Sequence, residues 1–198
     1  MTRIQDMTQG SPVRLLLFFS LPLMLGNVFQ QLYTVVDTAI VGKALGVDAL
    51  AALGATDWLT WMFIGMVQGL TQGFSIRMAR EFGARQYEEL RRTVGNAVLL
   101  SALGALVFLG LAQFAARPLL LFLDTPADVL PLSLLYVRIF FAGIPILTAF
   151  NLLAAILRAL GDGRTPLYAM ALASLTNIAL DLLFVLVFRW GVAGAAIA

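Results

Sequence analysis

Twenty-two consecutive residues, Leu15 to Val36, carry no charge, and the residue that ends the run is a carboxylate, Asp37. At ~1.5 Å per residue a helix of that length covers about 33 Å, enough to cross a hydrocarbon core of ~30 Å. Similar runs recur, with 19 uncharged residues from Trp58 to Ile76 and 24 from Thr93 to Ala116. The whole chain agrees with these runs. Of its 198 residues 61% are hydrophobic and 12% charged, about half the ~25% charged fraction of an ordinary soluble domain. The expected fold class is therefore an all-α integral membrane protein. A secretory signal fits the first run poorly, because its apolar region is ~7–15 residues and ends in small residues at a cleavage site.

The residue types that are missing narrow the chemistry. There is no cysteine and no histidine. Disulfides, thiolate metal sites and the usual pH-sensing imidazole are excluded. No nucleophile stands beside a base, so the chain does not read as an enzyme. No cofactor and no nucleic-acid partner are expected. Proton chemistry would fall to carboxylates.

The charges divide the chain into one transmembrane lobe, with helices expected at about 13–42, 49–76, 93–116, 129–157 and 166–188 and a sixth begun at 191–198. Pro22 lies well inside the first helix, where it removes a backbone donor and favours a bend. Gly42 to Gly46 reads as a turn. In the second helix Gly65, Gly69 and Gly73 share one face, a spacing that lets another helix approach. Gln68 and Gln72 lie on an adjacent stripe. The segment Arg77–Arg92 holds five arginines and three glutamates and reads as a solvated, partly helical loop. Arg117-Pro118 is expected to end the third helix. The fourth contains Pro145, with Arg138 near its start and able to snorkel to the interface. Gly161 suits a helix C-cap, and Thr165-Pro166 an N-cap followed by a proline at the first helical position. Nine basic residues (Arg3, Arg14, Arg77, Arg80, Arg85, Arg91, Arg92, Arg158, Arg164) fall on one side of these spans. The opposite side has Lys43, Arg117 and Arg189, with Arg138 at that end of the fourth helix. The positive-inside rule then makes the N-terminus cytoplasmic.

Two acids do not belong in this pattern. A charge in the bilayer costs at least ~2.5–3.5 kcal/mol on insertion scales, so it is usually paired, hydrated or functional. Asp37 and Asp181 lie in helices that run the same way, about 6 and 10 Å from the outer ends at ~1.5 Å per residue. Each has polar company on its own face: Asn27, Gln30, Tyr33 and Thr34 before Asp37, and Asn177 one turn before Asp181. The spans offer no lysine to neutralise them. A medium of low dielectric disfavours a bare carboxylate. The pattern therefore suits a site for a proton or a small hard cation such as sodium, with oxygens from Asp37, Asn177 and Asp181. A structural polar network is the other reading. Asn151 in the fourth helix is a weaker fourth member.

At these residues the sequence resembles the multidrug and toxic compound extrusion (MATE) transporters. Gln30-x-x-Tyr33-x-x-x-Asp37-x-x-x-Val41-Gly42, with Pro22 before it, is similar to that family's first helix. Gly83-Ala84-Arg85 resembles its cytoplasmic loop motif, and Leu157 to Pro166 its loop between helices four and five. Asn177-Ile178-Ala179-Leu180-Asp181 looks like its fifth-helix cation site. The resemblance implies the N-terminal lobe of an antiporter that exports organic cations or other amphiphiles, driven by protons or sodium. It implies cation coupling at Asp37, Asn177 and Asp181, a cavity near Gln30, Tyr33, Thr34 and Asn151, and a bend-prone position at Pro22. It also implies a multi-pass protein of the bacterial inner membrane.

Family members have about twelve helices in two similar lobes, and this chain has five and a beginning. A second six-helix lobe is expected, either as the missing C-terminal half or as another chain, with the fragment reading preferred. A lipid-linked precursor flippase of the same superfamily is an alternative. It would be expected to offer several cationic side chains, whereas these spans offer acids. A non-transporting membrane scaffold or remnant is a further one.

Overall fold

The computed structural model describes residues 12–198. Within the first helix the side chains of Pro12, Arg14, Leu16, Phe18, Phe19, Pro22, Leu23 and Tyr33 lie outside the described residues. The chain forms α1 (Pro12–Leu45), α2 (Val47–Gly83), α3 (Tyr87–Phe122), α4 (Leu130–Ala142), α5 (Ile144–Ala159) and α6 (Arg164–Asp181). A π-helical segment (Leu182–Val187) and α7 (Val192–Ile197) follow, and the described residues contain no strand. Helices close all their backbone hydrogen bonds internally, which is what a bilayer demands of a spanning segment. Among the described residues α2, α3 and the stretch Arg164–Val187 are long and apolar enough to span, and α4 with α5 forms a fourth span bent by 46°.

Packing sorts the helices into two groups. The tighter one joins α2, α3, α4 and α5 around Leu59, Phe63 and Val67 of α2, Ala112, Ala116 and Leu120 of α3, and Val137 and Phe141 of α4. The rings of Phe63 and Phe141 stand 4.7 Å apart between centroids. The second group pairs α1 with α6, and α7 packs on α4. Val41, Ala49, Leu53, Val185 and Val192 close its end beside the α1–α2 turn. Large apolar side chains such as Leu99, Leu103, Leu106 and Phe114 of α3 point outward. That pattern suits a protein whose solvent on this face is lipid.

Several boundaries differ from the expected ones, each for a local reason. Gly42 to Leu45 continue α1 rather than forming a turn; the reversal is made at Gly46 alone, with φ +87°. Only glycine adopts that backbone freely. The segment expected as a loop is mostly helix, because α2 runs to Gly83 and α3 starts at Tyr87. Its turn is fixed from both sides by Glu81. The Glu81 carboxylate accepts from Arg77 Nε at 2.7 Å and from Thr93 Oγ1 at 2.9 Å. Pro118 does not end α3, which continues to Phe122. Helical continuation puts Leu120 on the face of Ala116, in the core, and that packing outweighs one lost backbone bond. The fourth span breaks at Gly143. Pro145 lacks the N–H that would bond the Phe141 carbonyl, and its ring crowds that carbonyl.

At the α5–α6 connection Gly161 has φ +84°, as a C-cap requires. The cap of α6, however, is made by Asp162 rather than Thr165. Asp162 Oδ1 accepts from the backbone N–H groups of Arg164 and Thr165, both at 3.0 Å. The Thr165 hydroxyl also donates to Asp162, at 2.6 Å. Among the described residues the glycine stripe of α2 has no helix against it. A Cβ added at Gly65, Gly69 or Gly73 would meet nothing within 4 Å.

Candidate cation site and cavity

Spacing decides what α1 presents. Asn27, Gln30, Thr34 and Asp37 follow one another at three- and four-residue steps and so share a face. That face lines a cavity of about 700 Å³ together with Gln31 and Thr38 of the same helix. Across it stand Asp57, Thr60, Trp61, Ile64 and Gln68 of α2, Tyr136 and Phe140 of α4, and Asn177 of α6. Two carboxylates and several amides line this space, and no lysine or arginine is among its lining residues.

Asp181 lies behind the cavity wall. It is completely buried at the end of α6, and neither carboxyl oxygen has a hydrogen-bond partner. Its helix packs against α1, which carries Asp37. Oδ1 of Asp37 and Oδ1 of Asn177 are likewise buried and unpartnered. The sequence puts the two acids at similar depth with Asn177 one turn before Asp181, and the fold sets all three on the packed pair α1 and α6. The nearby hydroxyls do not serve them. Thr34 donates to the Gln30 carbonyl at 3.0 Å, and Thr38 to the Thr34 carbonyl at 2.8 Å.

Four buried acceptor oxygens without a donor are costly, since an uncompensated buried charge loses several kcal/mol of hydration. Two additions relieve that cost. A proton turns one carboxylate into a donor toward another oxygen. A small hard cation is satisfied by an all-oxygen set of this kind. Among the described residues no donor is hydrogen-bonded to these oxygens.

Other residues singled out in the sequence fall elsewhere. Asn151 sits half-buried on α5, its Nδ2 donating to the Leu147 carbonyl at 2.9 Å, and it lines neither cavity described here. Gln68 faces the large cavity, but Gln72 faces a second one of about 500 Å³ with Ser75, Arg158 and Met170. Asn27 touches both. The side chains of Tyr33 and Pro22 lie outside the described residues. Asp57 is the cavity residue that sequence reasoning passed over. It stands just before the uncharged run Trp58 to Ile76, and its depth, about 15 Å from the start of α2, follows from the same counting that applies to Asp37.

The MatE family model matches residues 22–183, most of the chain and the whole of this site. The chain belongs to the MATE family. A relative from Bacillus subtilis (strain 168), named "Probable multidrug resistance protein YpnP", is 35% identical over 192 residues, 96% of this chain and 43% of its own length. Among solved structures, a MOP superfamily transporter from Pyrococcus furiosus superposes with TM-score 0.91 at 30% identity, covering 99% of this chain and 43% of that one. A MATE structure in the bent conformation does so with TM-score 0.90, again at 30% identity, 99% and 43%. The fold is thus one lobe of a MATE transporter, multi-pass and membrane-embedded. The chain spans less than half the length of these relatives.

Proposed function

We propose that this chain is the N-terminal lobe of a cation-coupled antiporter exporting amphiphilic drugs. The observation that carries the reading is the set of unpartnered buried oxygens on Asp37, Asn177 and Asp181 at the α1–α6 seam. A proton or a sodium ion entering there relieves their mutual cost, and Asp37 also lines the large cavity. Occupancy of the seam therefore alters the charge that the cavity shows to its substrate. Coupling then needs no long-range signal, because one carboxylate borders both the ion and the substrate space. Export of drugs follows from the names of relatives such as the Bacillus protein. Alternation between two access states belongs to a complete transporter with a lobe on each side of the cavity.

A second lobe completes the cavity in this reading, since the relatives are more than twice as long as the matched region. The N-terminus faces the cytoplasm, with Arg77, Arg80, Arg85, Arg91, Arg92, Arg158 and Arg164 on that side of a bacterial inner membrane. The described lining of the cavity carries acids and no basic side chain, which sets it apart from a carrier of anionic lipid-linked precursors.

The test is dye efflux from vesicles holding the full-length transporter, driven in turn by a proton and a sodium gradient. Asp37→Asn and Asp181→Asn should each abolish gradient-driven efflux while the protein still inserts. Undiminished efflux in both variants overturns the coupling role.

A further inference from the structure

We infer that Asp57 and Trp61 of α2 form the recognition element for a planar aromatic cation, separate from the oxygens that take the coupling ion. This rests on the reading of the lobe as part of an exporter and deepens it. Both residues line the large cavity and lie four positions apart, so they stack on one face of α2. Trp61 is 57% exposed, and Asp57 is exposed as well. The backbone carbonyl of Asp57 accepts from Thr60 at 2.8 Å. Its carboxylate makes no ion pair among the described residues. An acid and an indole side by side, both open to a cavity in a low-dielectric medium, are matched to a cation that carries a ring. The carboxylate attracts the charge, and the indole face binds it through its quadrupole.

The rest of the cavity agrees. Tyr136 and Phe140 supply further aromatic surface from α4. The volume of about 700 Å³ falls in the range of pockets that take drug-sized ligands. The position of Asp57 also divides the labour. Asp181 is sealed off, and Asp37 sits between seam and cavity. Asp57 stands on a different helix, outside the set of buried oxygens. It therefore faces the cavity whether or not an ion occupies the seam. Asp57 and Trp61 set which substrates are held, and Asp37 sets when they are released.

The experiment is equilibrium binding of ethidium, and of a neutral aromatic dye of similar size, to the purified full-length transporter. Asp57→Asn should weaken ethidium binding roughly tenfold, a change of ~1.4 kcal/mol, and leave the neutral dye unaffected. Asp57→Glu should restore most of the affinity. Trp61→Ala should weaken ethidium binding, and Trp61→Tyr should largely keep it. The ion dependence of efflux should persist in Asp57→Asn at saturating substrate. Unchanged ethidium affinity in Asp57→Asn, equal losses for both dyes, or no rescue by Asp57→Glu overturns the assignment. Loss of ion-driven efflux only in the Asp37 and Asp181 variants speaks to the coupling role, which equilibrium binding of dye does not probe.

Discussion

Asp181 on α6 and Asp37 on α1 stand on two helices packed against each other, yet only Asp37 reaches the cavity. Asp181 is wholly buried with both oxygens unpartnered. Its carboxylate is thus a group the fold tolerates rather than uses for cohesion. Asp181→Asn keeps the shape and removes the ionisable group. In the full-length protein, at low occupancy of the coupling ion, it should leave thermal stability unchanged or raise it by up to ~1 kcal/mol, because a buried carboxylate without a partner is a net cost. A melting curve in detergent checks this. A fall in Tm of many degrees would make Asp181 a structural member of a polar network.

Anything that binds the folded state stabilises it by mass action, by ~2.7 kcal/mol at one hundred times Kd. The unpartnered oxygens of Asp37, Asn177 and Asp181 should therefore make the melting temperature depend on the coupling ion. Sodium replacing choline at constant ionic strength should raise Tm if sodium is that ion. If the ion is the proton, sodium should be silent and mild acidification should raise Tm. Asp37→Asn should remove whichever response is seen. A Tm indifferent to both ions would sink the ion-binding reading of the seam.

The seam was legible in the sequence because a membrane makes charge expensive, so two acids at similar depth in parallel helices stand out. The lateral arrangement was not. Periodicity tells which residues share a helix face, but not which neighbour that face meets. Asp57 shows this, since only the packing of α2 beside α1 makes it face the same cavity as Asp37. Gly65, Gly69 and Gly73 show the converse, a small-residue face that meets no helix among the described residues. Local chemistry was read better where one residue dictates the backbone, as at Gly161. It was read worse where tertiary packing overrode a local signal, as at Pro118, or where a neighbour took the capping role, as Asp162 did from Thr165.

The core of the α2–α5 group should be sensitive to lost volume, but less so than a soluble core. Phe141 is fully buried and packs against Phe63. In water a Phe→Ala change costs ~3–5 kcal/mol, part of it transfer to solvent and part the cavity left behind. Lipid is as apolar as the side chain, so the transfer part is largely absent and packing remains. Phe141→Ala should cost about 2 kcal/mol, with Phe141→Leu well below that. Steric-trap unfolding in bicelles measures both. A cost near zero would mean that the helices repack over the gap.

Glycines in this lobe should divide by what lies opposite them. A Cβ on Gly194 would stand 3.1 Å from Phe184 Cβ and 3.2 Å from the Phe184 backbone carbon and oxygen. Those atoms belong to the π-helical segment and cannot swing aside as a side-chain tip can. Gly194→Ala should therefore push α7 off the segment Leu182–Val187, whose Val185 is buried with Val41 and Val192, at a cost of ~1–3 kcal/mol as for other overpacked sites. Gly65→Ala, with nothing within 4 Å inside this chain, should gain rather than lose within the lobe, since alanine exceeds glycine in helix preference by ~0.8–1 kcal/mol. Melting of the two full-length variants decides it. Loss at Gly194 with none at Gly65 is the expected result. A comparable loss at Gly65 would instead place a second surface, such as the other lobe, against the α2 stripe.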